Sequence, residues 1–432
     1  MDSPVVRVGV VGAGFVGSAL IELLTDSSRH DALVDAATAP LELVGVAVRD
    51  TAKARPGIEL SLVTTDAMEL FERNLDILVE VAGGVSAARE VIEAALSRGV
   101  SVVTANKTLM AEAGTELAQL AHAHGADLFY EAAVGGAVPI LRALRTSLAG
   151  ERIETVMGIV NGTTNFILSQ MTIVGSDYAD ALDEAKALGY AEADPTADVE
   201  GVDAAAKVQI LSSLAYGTSL AGEEISREGI TGVRALDVEF AKRAGFVIKL
   251  LGVAERVGDT GLSRRVHPTL VPVEHPLAAV HGAMNAVFVE GAKSGPLMWL
   301  GHGAGGHATA TAVLGDVLDA ARNRVSRRHD VPFRVNPSLT NVPVGDLRAV
   351  YYLSLDVQDR PGVLASVAAV FGRHNVSIQS MEQSGVDEDA RLNFFTHDAL
   401  TSDVVATVTE LRALDAVDSV GACIRVLSRG DA

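Results

Sequence analysis

The sequence has little cysteine, few aromatic residues and no long apolar run. It contains one cysteine, Cys423, among 432 residues, and Phe, Trp and Tyr together make up 4% of the chain. A single cysteine excludes an internal disulfide and suits a reducing compartment. Glycine or charge interrupts every apolar segment before it reaches membrane-spanning length, and no signal peptide or lipidation motif opens the chain. We therefore expect a cytoplasmic protein without a membrane partner.

Positive charge is also scarce. The chain has 35 Lys and Arg against 55 Asp and Glu, which gives a formal net charge of −20. This balance opposes non-specific binding to nucleic acids or anionic membranes. His267, His275 and His281 lack the short ligand spacing of a zinc site, so we treat them as structural residues. The length and the hydrophobic content of 48% predict two to four domains.

The N-terminus carries a dinucleotide-binding pattern. An apolar strand over Val5–Val11 leads into the glycine-rich sequence GAGFVG, and a helix follows over Ser18–Leu24. Glycines in this context allow a tight turn and close approach of a pyrophosphate, whose charge the helix start stabilises. The alternative is a glycine turn used only for packing. The predicted cofactor contacts are Gly12, Gly14, Phe15, Val16 and Gly17.

The second strand indicates which dinucleotide binds. The strand Leu41–Val48 ends in Arg49 and Asp50. An acid at this position favours the ribose hydroxyl of NAD, whereas an arginine can pair with the additional phosphate of NADP. Both residue types are present, so the choice stays open, and we favour NADP(H) with NAD(H) as the alternative. Arg49 is otherwise a solvated charge at a strand end.

Further strands bring polar residues to the same sheet edge. Two further strands are predicted over Ile77–Val81 and Val100–Val103. The second of them is followed by Thr104 and by a loop lysine, Lys107. Ligands of open α/β sheets bind at the carboxyl ends of the strands, so we expect these two residues at the cofactor. The next strand, Asp127–Tyr130, meets Glu131 and a glycine-containing turn, which is either a monovalent cation site or an ordinary turn.

An acidic segment precedes the helix Val202–Leu214. The segment GYAEADPTADVEGVDAAAK (189–207) places Asp203 and Lys207 one helical turn apart on one face. Its other acids are Glu192, Asp194, Asp198 and Glu200. These carboxylates suit a substrate with an ammonium group, and the lysine suits proton donation to a reacting oxygen. A surface ion pair beside a solvated acidic loop is the alternative.

The middle of the chain changes to long strands mixed with helices and predicts an α+β domain. The sequence NGTTN (161–165) reads as a donor-rich loop for a carboxylate or a cofactor amide, or else as a helix cap. The strands Val247–Ala254, Leu262–Val273 and Ala286–Glu290 predict one sheet and a dimer interface. A second glycine-rich helix start, GHGAGG (301–306), could return to the nucleotide or be a flexible linker.

The C-terminal region predicts a small ferredoxin-like module. A linker rich in Pro, Asn and charge precedes strands and helices in the order βαββαβ, with Asp359-Arg360-Pro361-Gly362-Val363-Leu364 after the first strand. This module has no cluster of acids, bases or nucleophiles, so we expect it to bind a ligand or to pair. Cys423 lies far in sequence from the nucleotide motif, which leaves no cysteine for thioester chemistry and favours interconversion of carbonyl and alcohol.

These motifs together resemble homoserine dehydrogenase over the chain up to about Arg322. The resemblance rests on GAGFVG, TANK (104–107), FYEAAVGGAVPI (129–140), NGTTN and the segment from Gly189 to Leu211, which is the most specific. The tail from Tyr351 resembles an ACT domain through DRPGVL (359–364) and its element order. The resemblance implies reversible NAD(P)H-dependent reduction of aspartate semialdehyde to homoserine, on the route to threonine, methionine and isoleucine.

The resemblance also assigns roles to individual residues. It implies that Lys207 donates the proton, that Lys107 is a second lysine at the reacting centre, and that Glu192 and Asp203 hold the substrate. It further implies cofactor contacts by Gly189 and Gly305. A sodium site would consist of Glu131 with the carbonyls of Val134, Gly136 and Val138. The module implies inhibition by an end product, with threonine as the expected effector, in a homodimer or homotetramer.

The resulting expectation is an α/β protein with four parts. They are an NAD(P)-binding Rossmann domain over 1–135, completed by a helix over 305–325; a substrate-binding, catalytic and dimerisation α+β domain over 136–304; a linker over 326–347; and a ferredoxin-like ACT domain over 348–432. Two other functions fit the same architecture. A non-catalytic sensor of NAD(P) and an amino acid would leave the lysines without a role, and an oxidoreductase for another amino or hydroxy acid is separable only by turnover assays.

Overall fold

The computed structural model describes residues 5–51, 57–218, 225–330, 336, 338–385 and 390–427. Two compact units are present. The first comprises Met1–Glu151, Gln209–Glu224 and Trp299–Pro337, and the second comprises Arg152–Val208, Ile225–Met298 and Ser338–Ala432. Within the described ranges, no helix combines the length and the apolar character needed to cross a membrane.

Strands and helices follow the apolar patterns of the sequence closely. Within the described ranges the strands are β1 (Val6–Val11), β2 (Leu41–Ala47), β3 (Val63–Thr64), β4 (Ile77–Glu80), β5 (Ser101–Thr104), β6 (Leu128–Phe129), β7 (Ile153–Ile159), β8 (Ser226–Arg227), β9 (Phe246–Val257), β10 (Gly261–Pro272), β11 (Met284–Gly291), β12 (Gly295–His302), β13 (Thr340–Asn341), β14 (Arg348–Val357), β15 (Ile378–Ser384), β16 (Arg391–Thr396), β17 (Ala399–Leu400) and β18 (Val417–Val426). The helices there are α1 (Phe15–Thr25), α2 (His30–Ala37), α3 (Ser86–Leu96), α4 (Lys107–Ala123), α5 (Ile140–Arg142), α6 (Gly162–Ile173), α7 (Tyr178–Ala187), α8 (Thr196–Val199), α9 (Val202–Tyr216), α10 (Ala235–Arg243), α11 (Gly306–Ser326), α12 (Val363–Arg373) and α13 (Thr401–Leu411).

The first unit is built on a parallel sheet. Its described strands run in the order β3-β2-β1-β4-β5-β6, and each pairing is parallel. The central strands β4 and β5 are buried at every residue, mostly by valine, isoleucine and leucine, as in sheets that helices cover on both sides. This is the strand order of a Rossmann dinucleotide-binding sheet. The predicted fold of this region is confirmed.

Helix α11 joins the core of the first unit although it lies far along the chain. Its small and branched apolar residues, among them Ala310, Val313 and Val317, share one buried cluster with residues of β1 and α1. The alanines of this face allow α11 to pack closely on α1. Helix α11 also ends at Ser326, one residue beyond the predicted span 305–325.

The first unit continues to Glu151, beyond the predicted domain boundary after residue 135. The carboxylate of Glu131 accepts hydrogen bonds from the backbone N–H groups of Leu141 (2.8 Å) and Arg142 (2.7 Å). Arg142 in turn forms an ion pair with Asp316 of α11 at 3.1 Å. These contacts hold the residues after 135 in the first unit.

The second unit contains one mixed sheet that includes the C-terminal module. The order along the sheet is β12-β11-β7-β9-β10-β18-β14-β16-β15, and the short strands β8, β13 and β17 pair beside it. Strands β14, β15, β16 and β18 and the helices α12 and α13 follow one another along the chain in the order βαββαβ. They surround a separate apolar core. The predicted ferredoxin-like fold is confirmed.

The predicted linker over 326–347 is partly ordered within the second unit. Strand β13 pairs in parallel with β10, at Gly261 opposite Thr340. Strand β18 also pairs with β10, at Thr269 opposite Arg425. Residues 331–335 and 337 of the predicted linker lie outside the described residues. The C-terminal module is therefore joined to the central strands by backbone hydrogen bonds as well as by covalent connection.

Candidate active site

Lys207 and Asp203 form a buried ion pair on helix α9. The helix begins after Gly201, whose φ of +75° favours glycine, so Asp203 falls in the first turn and Lys207 one turn later. The Lys207 Nζ lies 2.7 Å from Asp203 Oδ2. Only 9% of Lys207 and 6% of Asp203 are exposed. The alternative of a solvated surface pair is thereby excluded.

A second acceptor fixes the lysine head group. Lys207 Nζ donates to the carbonyl oxygen of Val160, just after β7, at 2.6 Å. An ammonium group has three N–H donors, and the described residues supply acceptors for two of them. The remaining donor is available to an oxygen of a bound molecule. This arrangement can stabilise and protonate a developing alkoxide.

Asn161 positions Asp203. Its Oδ1 caps α6 by accepting the N–H of Thr164 at 2.9 Å. Its Nδ2 then donates to Asp203 Oδ2 at 2.9 Å and to Asp198 Oδ1 at 2.7 Å. The sequence NGTTN is therefore the start of a helix rather than a loop, and the helix-cap alternative is the one observed. The signal for this cap was an asparagine directly before the helical residues.

The acids of the segment 192–200 have different surroundings. Asp194 accepts from Thr196 at the start of α8, and Glu200 accepts from the hydroxyl of Thr231 at 3.0 Å. Asp198 is held by Asn161, as described above. Glu192 is exposed, and the described residues give its carboxylate no hydrogen bond. Glu192 is therefore the acid of this segment that is free to bind a ligand.

Gly189 follows α7 with a φ of +78°. No atom lies within 4 Å of the position that a Cβ would take. The residue is exposed, and its N–H bonds the carbonyl of Lys186 at 3.1 Å. This glycine leaves open space in the second unit, where its predicted contact with the cofactor stays a prediction.

In the first unit, the glycines after β1 form the predicted tight turn. Gly12 has a φ of +101°, and a Cβ on Gly17 would lie 2.0 Å from the Gly12 carbonyl oxygen. Around Gly14, by contrast, no atom lies within 4 Å of a Cβ position. Phe15, the first residue of α1, is 93% exposed, and Val16 is half-buried. The turn thus leaves its outer side open at the helix start, where a pyrophosphate binds in such folds.

A second glycine-rich helix start lies beside the first. Gly305, with a φ of +126°, precedes α11. A Cβ on Gly306 would lie 3.0 Å from the carbonyl oxygen of Phe15. The N-termini of α1 and α11 are therefore adjacent in the first unit, and both offer backbone N–H groups to an anion.

The carboxyl ends of β4 and β5 are organised by Glu80, which sequence reasoning missed. Glu80 is buried; its carboxylate accepts from the hydroxyl of Thr104 at 2.7 Å and from the N–H of Ala82 at 2.9 Å. The signal was an acid at the end of an apolar strand. The Thr104 hydroxyl is thus bonded to Glu80 and buried, and the predicted cofactor contact of Thr104 stays a prediction.

Lys107 is the first residue of α4, not a loop lysine. Asn106 caps this helix by accepting the N–H of Leu109 at 3.2 Å, and its Nδ2 donates to the carbonyl of Gly84 at 2.6 Å. Lys107 is half-buried in the first unit, whereas Lys207 belongs to the second. Arg49 is exposed directly after β2.

The turn after Glu131 combines a buried carboxylate with glycines of positive φ. Glu131 is 3% exposed, and burial raises the pKa of its carboxyl group. Burial also raises the pKa of Asp316, whose Oδ2 accepts the Glu131 N–H, to about 7. The carbonyl of Val138 accepts the N–H of Ile140 at 2.8 Å. Gly136 has a φ of +57°, and a Cβ there would clash with the backbone of Gly303.

Cys423 and the histidines take no part in these clusters. Burial raises the pKa of the Cys423 thiol to about 12, which keeps it protonated and unreactive. His267 and His275 are buried. Within the described ranges, no group of three or more His, Cys, Asp or Glu side chains is arranged to hold a metal ion.

Comparison with known proteins identifies the family of this chain. Three family models match the chain: the homoserine dehydrogenase NAD-binding domain at residues 12–131, homoserine dehydrogenase at 139–318, and the ACT domain at 351–416. The homoserine dehydrogenase of Corynebacterium glutamicum is 48% identical over 429 residues, which cover 98% of this chain and 95% of that protein.

Solved structures give the same result. A homoserine dehydrogenase from Thiobacillus denitrificans aligns with a TM-score of 0.92 at 38% identity and covers 99% of both chains. A hyperthermophilic archaeal homoserine dehydrogenase mutant in complex with NADPH aligns with a TM-score of 0.62 at 31% identity, over 73% of this chain and 98% of that one. The chain belongs to the homoserine dehydrogenase family, whose members are NAD(P)-dependent oxidoreductases that act on a CH–OH group.

Proposed function

We propose that this protein reduces L-aspartate 4-semialdehyde to L-homoserine reversibly, with Lys207 as the proton donor. The observation that carries the proposal is the buried Lys207 ammonium group, which donates to Asp203 and to Val160 and has one donor left. A group held in this way is preorganised for the oxygen of an aldehyde, because no reorientation is needed when negative charge develops there.

The residues of the second unit divide the remaining tasks. Asp203 holds Lys207 in place and accepts from the substrate, and Asn161 keeps Asp203 in its rotamer. Glu192, exposed and without a hydrogen bond among the described residues, binds the substrate ammonium group. Lys107 is proposed to supply a second positive charge for the reacting centre and the cofactor. When bound, the nicotinamide supplies the hydride.

We propose NADP(H) as the favoured cofactor. The turn Gly12–Gly17 and the adjacent start of α11 at Gly305 bind the pyrophosphate, Gly189 also contacts the cofactor, and the exposed Arg49 pairs with the additional phosphate of NADP. The NADPH in the archaeal relative supports this assignment. NAD(H) remains the alternative because Asp50 follows Arg49.

We further propose a structural sodium ion at Glu131 and the carbonyls of Val134, Gly136 and Val138. The buried carboxylate supports this site, since each of its oxygens accepts one backbone N–H and retains a second lone pair. The ion would offset the negative charge of Glu131 near Asp316. The ion's role is confined to holding this turn.

The C-terminal module supports regulation by an end-product amino acid, and threonine is the proposed effector. The assembly is proposed to be a homodimer or homotetramer. Alternate residues of the edge strand β12 are exposed, including Leu300 at 53%, and such an edge suits pairing with another subunit.

The test is oxidation of NADPH and of NADH with aspartate semialdehyde. We expect Lys207→Met to lower kcat by about 10²-fold or more because the proton donor is lost. Lys186→Met, at an exposed lysine of α7, is the matched control and keeps parental turnover. Arg49→Ala is expected to raise the KM for NADPH but not for NADH. Circular dichroism verifies folding, and a parent without turnover or an active Lys207→Met variant would refute the proposal.

A further inference from the structure

A cavity in the second unit lies where the C-terminal module meets the central strands. It encloses about 360 Å³ and lies among β8, β10, β14, α13 and β18. Its lining residues include Glu228, Tyr351, Val404, Val408 and Arg425. None of these residues belongs to the active site described above. A volume of this size accommodates a molecule as large as an amino acid.

Arg425 is the buried charge of this cavity. It is 8% exposed, and its guanidinium group donates to the hydroxyl of Thr401 at 2.6 Å and lies 5.1 Å from the centroid of the Tyr351 ring. Within the described ranges it has no carboxylate in ion-pair contact. Arginine has five N–H donors in a planar fork that matches a carboxylate, so most of its binding capacity is unused. A buried guanidinium group without a carboxylate in ion-pair contact indicates an anionic ligand.

Glu228 provides a negative charge at the same cavity. Its backbone N–H donates to Val266 of β10 at 2.8 Å, directly after β8. The described residues offer its carboxylate no cation in ion-pair contact. Desolvation raises the pKa of this carboxyl group although the residue as a whole is exposed, while the charge of Arg425 lowers it. The two opposite charges therefore influence each other across the cavity without forming an ion pair.

The lining also contains an apolar wall, hydroxyl side chains and further positive charge. Val404, Val405 and Val408 of α13 form one wall, and the exposed Arg412 lies at the same cavity. A cavity that combines a guanidinium group, a carboxylate and an apolar wall matches a small aliphatic molecule that carries a charge of each sign.

We propose that this cavity binds a free aliphatic α-amino acid, with its carboxylate on Arg425, its ammonium group on Glu228 and its side chain against the valines of α13. The site is separate from the Pro361-Gly362 turn of the same module. The proposal deepens the regulation described above, and its effect on turnover rests on the proposed function.

A short segment connects this cavity to the acidic segment of the active site. The N–H of Ile230, two residues after Glu228, donates to the carbonyl of Val199 at 2.8 Å. A Cβ on Gly229 would lie 2.3 Å from the same carbonyl oxygen, so the two backbones are in close contact. An amino acid that binds Glu228 therefore acts on a segment packed directly against residues 199–200, and it can shift the equilibrium between arrangements of that segment.

The first test is calorimetric titration of the full chain without substrate or cofactor. The probes are L-threonine, L-isoleucine and L-methionine, with threonine amide, which lacks the carboxylate, and N-acetylthreonine, which lacks the ammonium group. We expect at least one of the three amino acids to bind and both modified threonines to bind at least tenfold more weakly than threonine. If none of the three amino acids binds, the site is refuted.

The second test uses variants. Glu228→Gln, at an exposed residue, is expected to raise Kd at least tenfold and to abolish inhibition while the uninhibited turnover stays parental. Arg425→Lys weakens binding as well, because the fork geometry is lost although the charge is kept. Glu410→Gln, on the same helix α13 but outside the cavity, is the matched control and binds like the parent.

The outcomes separate the two proposals. Loss of binding in Arg360→Ala with parental binding in Glu228→Gln would place the ligand at the turn and overturn the cavity. Because binding is measured without turnover, an inactive parent that still binds the amino acid through Glu228 would refute the catalytic proposal and support this one. Thermal unfolding of each variant verifies folding.

Discussion

Two lysines of the second unit are buried, and their surroundings differ. Lys207 forms an ion pair with Asp203, whereas Lys249 of β9, only 2% exposed, donates to the carbonyl of Val280 and to Asn165 Oδ1. Burial without a carboxylate lowers the pKa of Lys249 to about 8. A paired lysine suits proton donation in the reduction, and an unpaired one suits the bonding of two chain segments. Residue type alone does not distinguish the two roles.

Lys249 predicts a specific pH dependence of stability. Its pKa falls from 10.5 in the unfolded chain to about 8 in the folded one, so between these values the unfolded chain binds more protons. The free energy of unfolding of the parent, relative to Lys249→Met, is then expected to rise by about 1.4 kcal/mol per pH unit from pH 8 to 10 and to stay constant below pH 8. Urea unfolding of both proteins at pH 7, 8, 9 and 10 measures this difference. Parallel profiles would contradict it.

At the scale of elements, tight turns and helix starts create both sites. Glycines before α1 and α11 bring two helix N-termini together in the first unit. Asparagine caps at Asn106 and Asn161 begin α4 and α6, and each cap also hydrogen-bonds a second segment through its amide nitrogen. The caps thereby position Lys107 and Asp203. One polar side chain at an element boundary thus shapes the local chain and orders the site.

The two glycines of the nucleotide turn are expected to differ on substitution. Gly17→Ala places a methyl group 2.0 Å from the Gly12 carbonyl oxygen, so the turn must open at a cost of roughly 2–4 kcal/mol of folding free energy. Gly14→Ala meets no atom within 4 Å and folds like the parent, but its methyl group occupies the approach of the pyrophosphate and weakens NADPH binding at least tenfold. Thermal unfolding and fluorescence titration with NADPH measure the two effects. Equal melting temperatures for both variants would contradict this account.

At the scale of the whole molecule, the C-terminal module and the central strands share a polar centre. Asp237 of α10 is fully buried; it accepts from the Tyr352 hydroxyl at 3.1 Å and from Ser354 at 2.9 Å, and it forms an ion pair with Arg391. The ring of Phe240, on the same helix, stacks on Tyr352 with 5.0 Å between centroids. The module is therefore an integral part of the second unit.

Removal of the module is expected to damage the rest of the unit. Deletion of the residues after Asp346 removes Tyr352, Ser354 and Arg391 from Asp237 and exposes the part of β10 that pairs with β18. Breaking one buried charge pair costs about 3–5 kcal/mol, so Asp237→Ala in the full chain is expected to lose this much stability and the truncated chain more. Thermal unfolding and uninhibited turnover measure both. A truncated chain with the parental melting temperature would show that the module is a separable domain. Because truncation is expected to destabilise the second unit, point variants test regulation better than truncation does.

The sequence was most informative where structure depends on near neighbours. The Rossmann strands, the glycine turn and the pair Asp203–Lys207 follow from periods and spacings within a few residues. It was less informative where a helix starts at a polar residue, as at Lys107 and Asn161, because a cap and a polar loop have the same composition. Glu80 was missed because a buried acid is interpretable only through its partners, Thr104 and the backbone of Ala82.

By itself, the sequence determined the order of the elements, the family and the residue types of both sites, since these depend on local pattern and motif. Only the tertiary structure decided that Lys207 is buried, that Asn161 holds Asp203, and that β18 pairs with β10 to bring Arg425 to a cavity beside Glu228. Strand pairing and burial join residues that are far apart along the chain, and no local pattern encodes which of them meet.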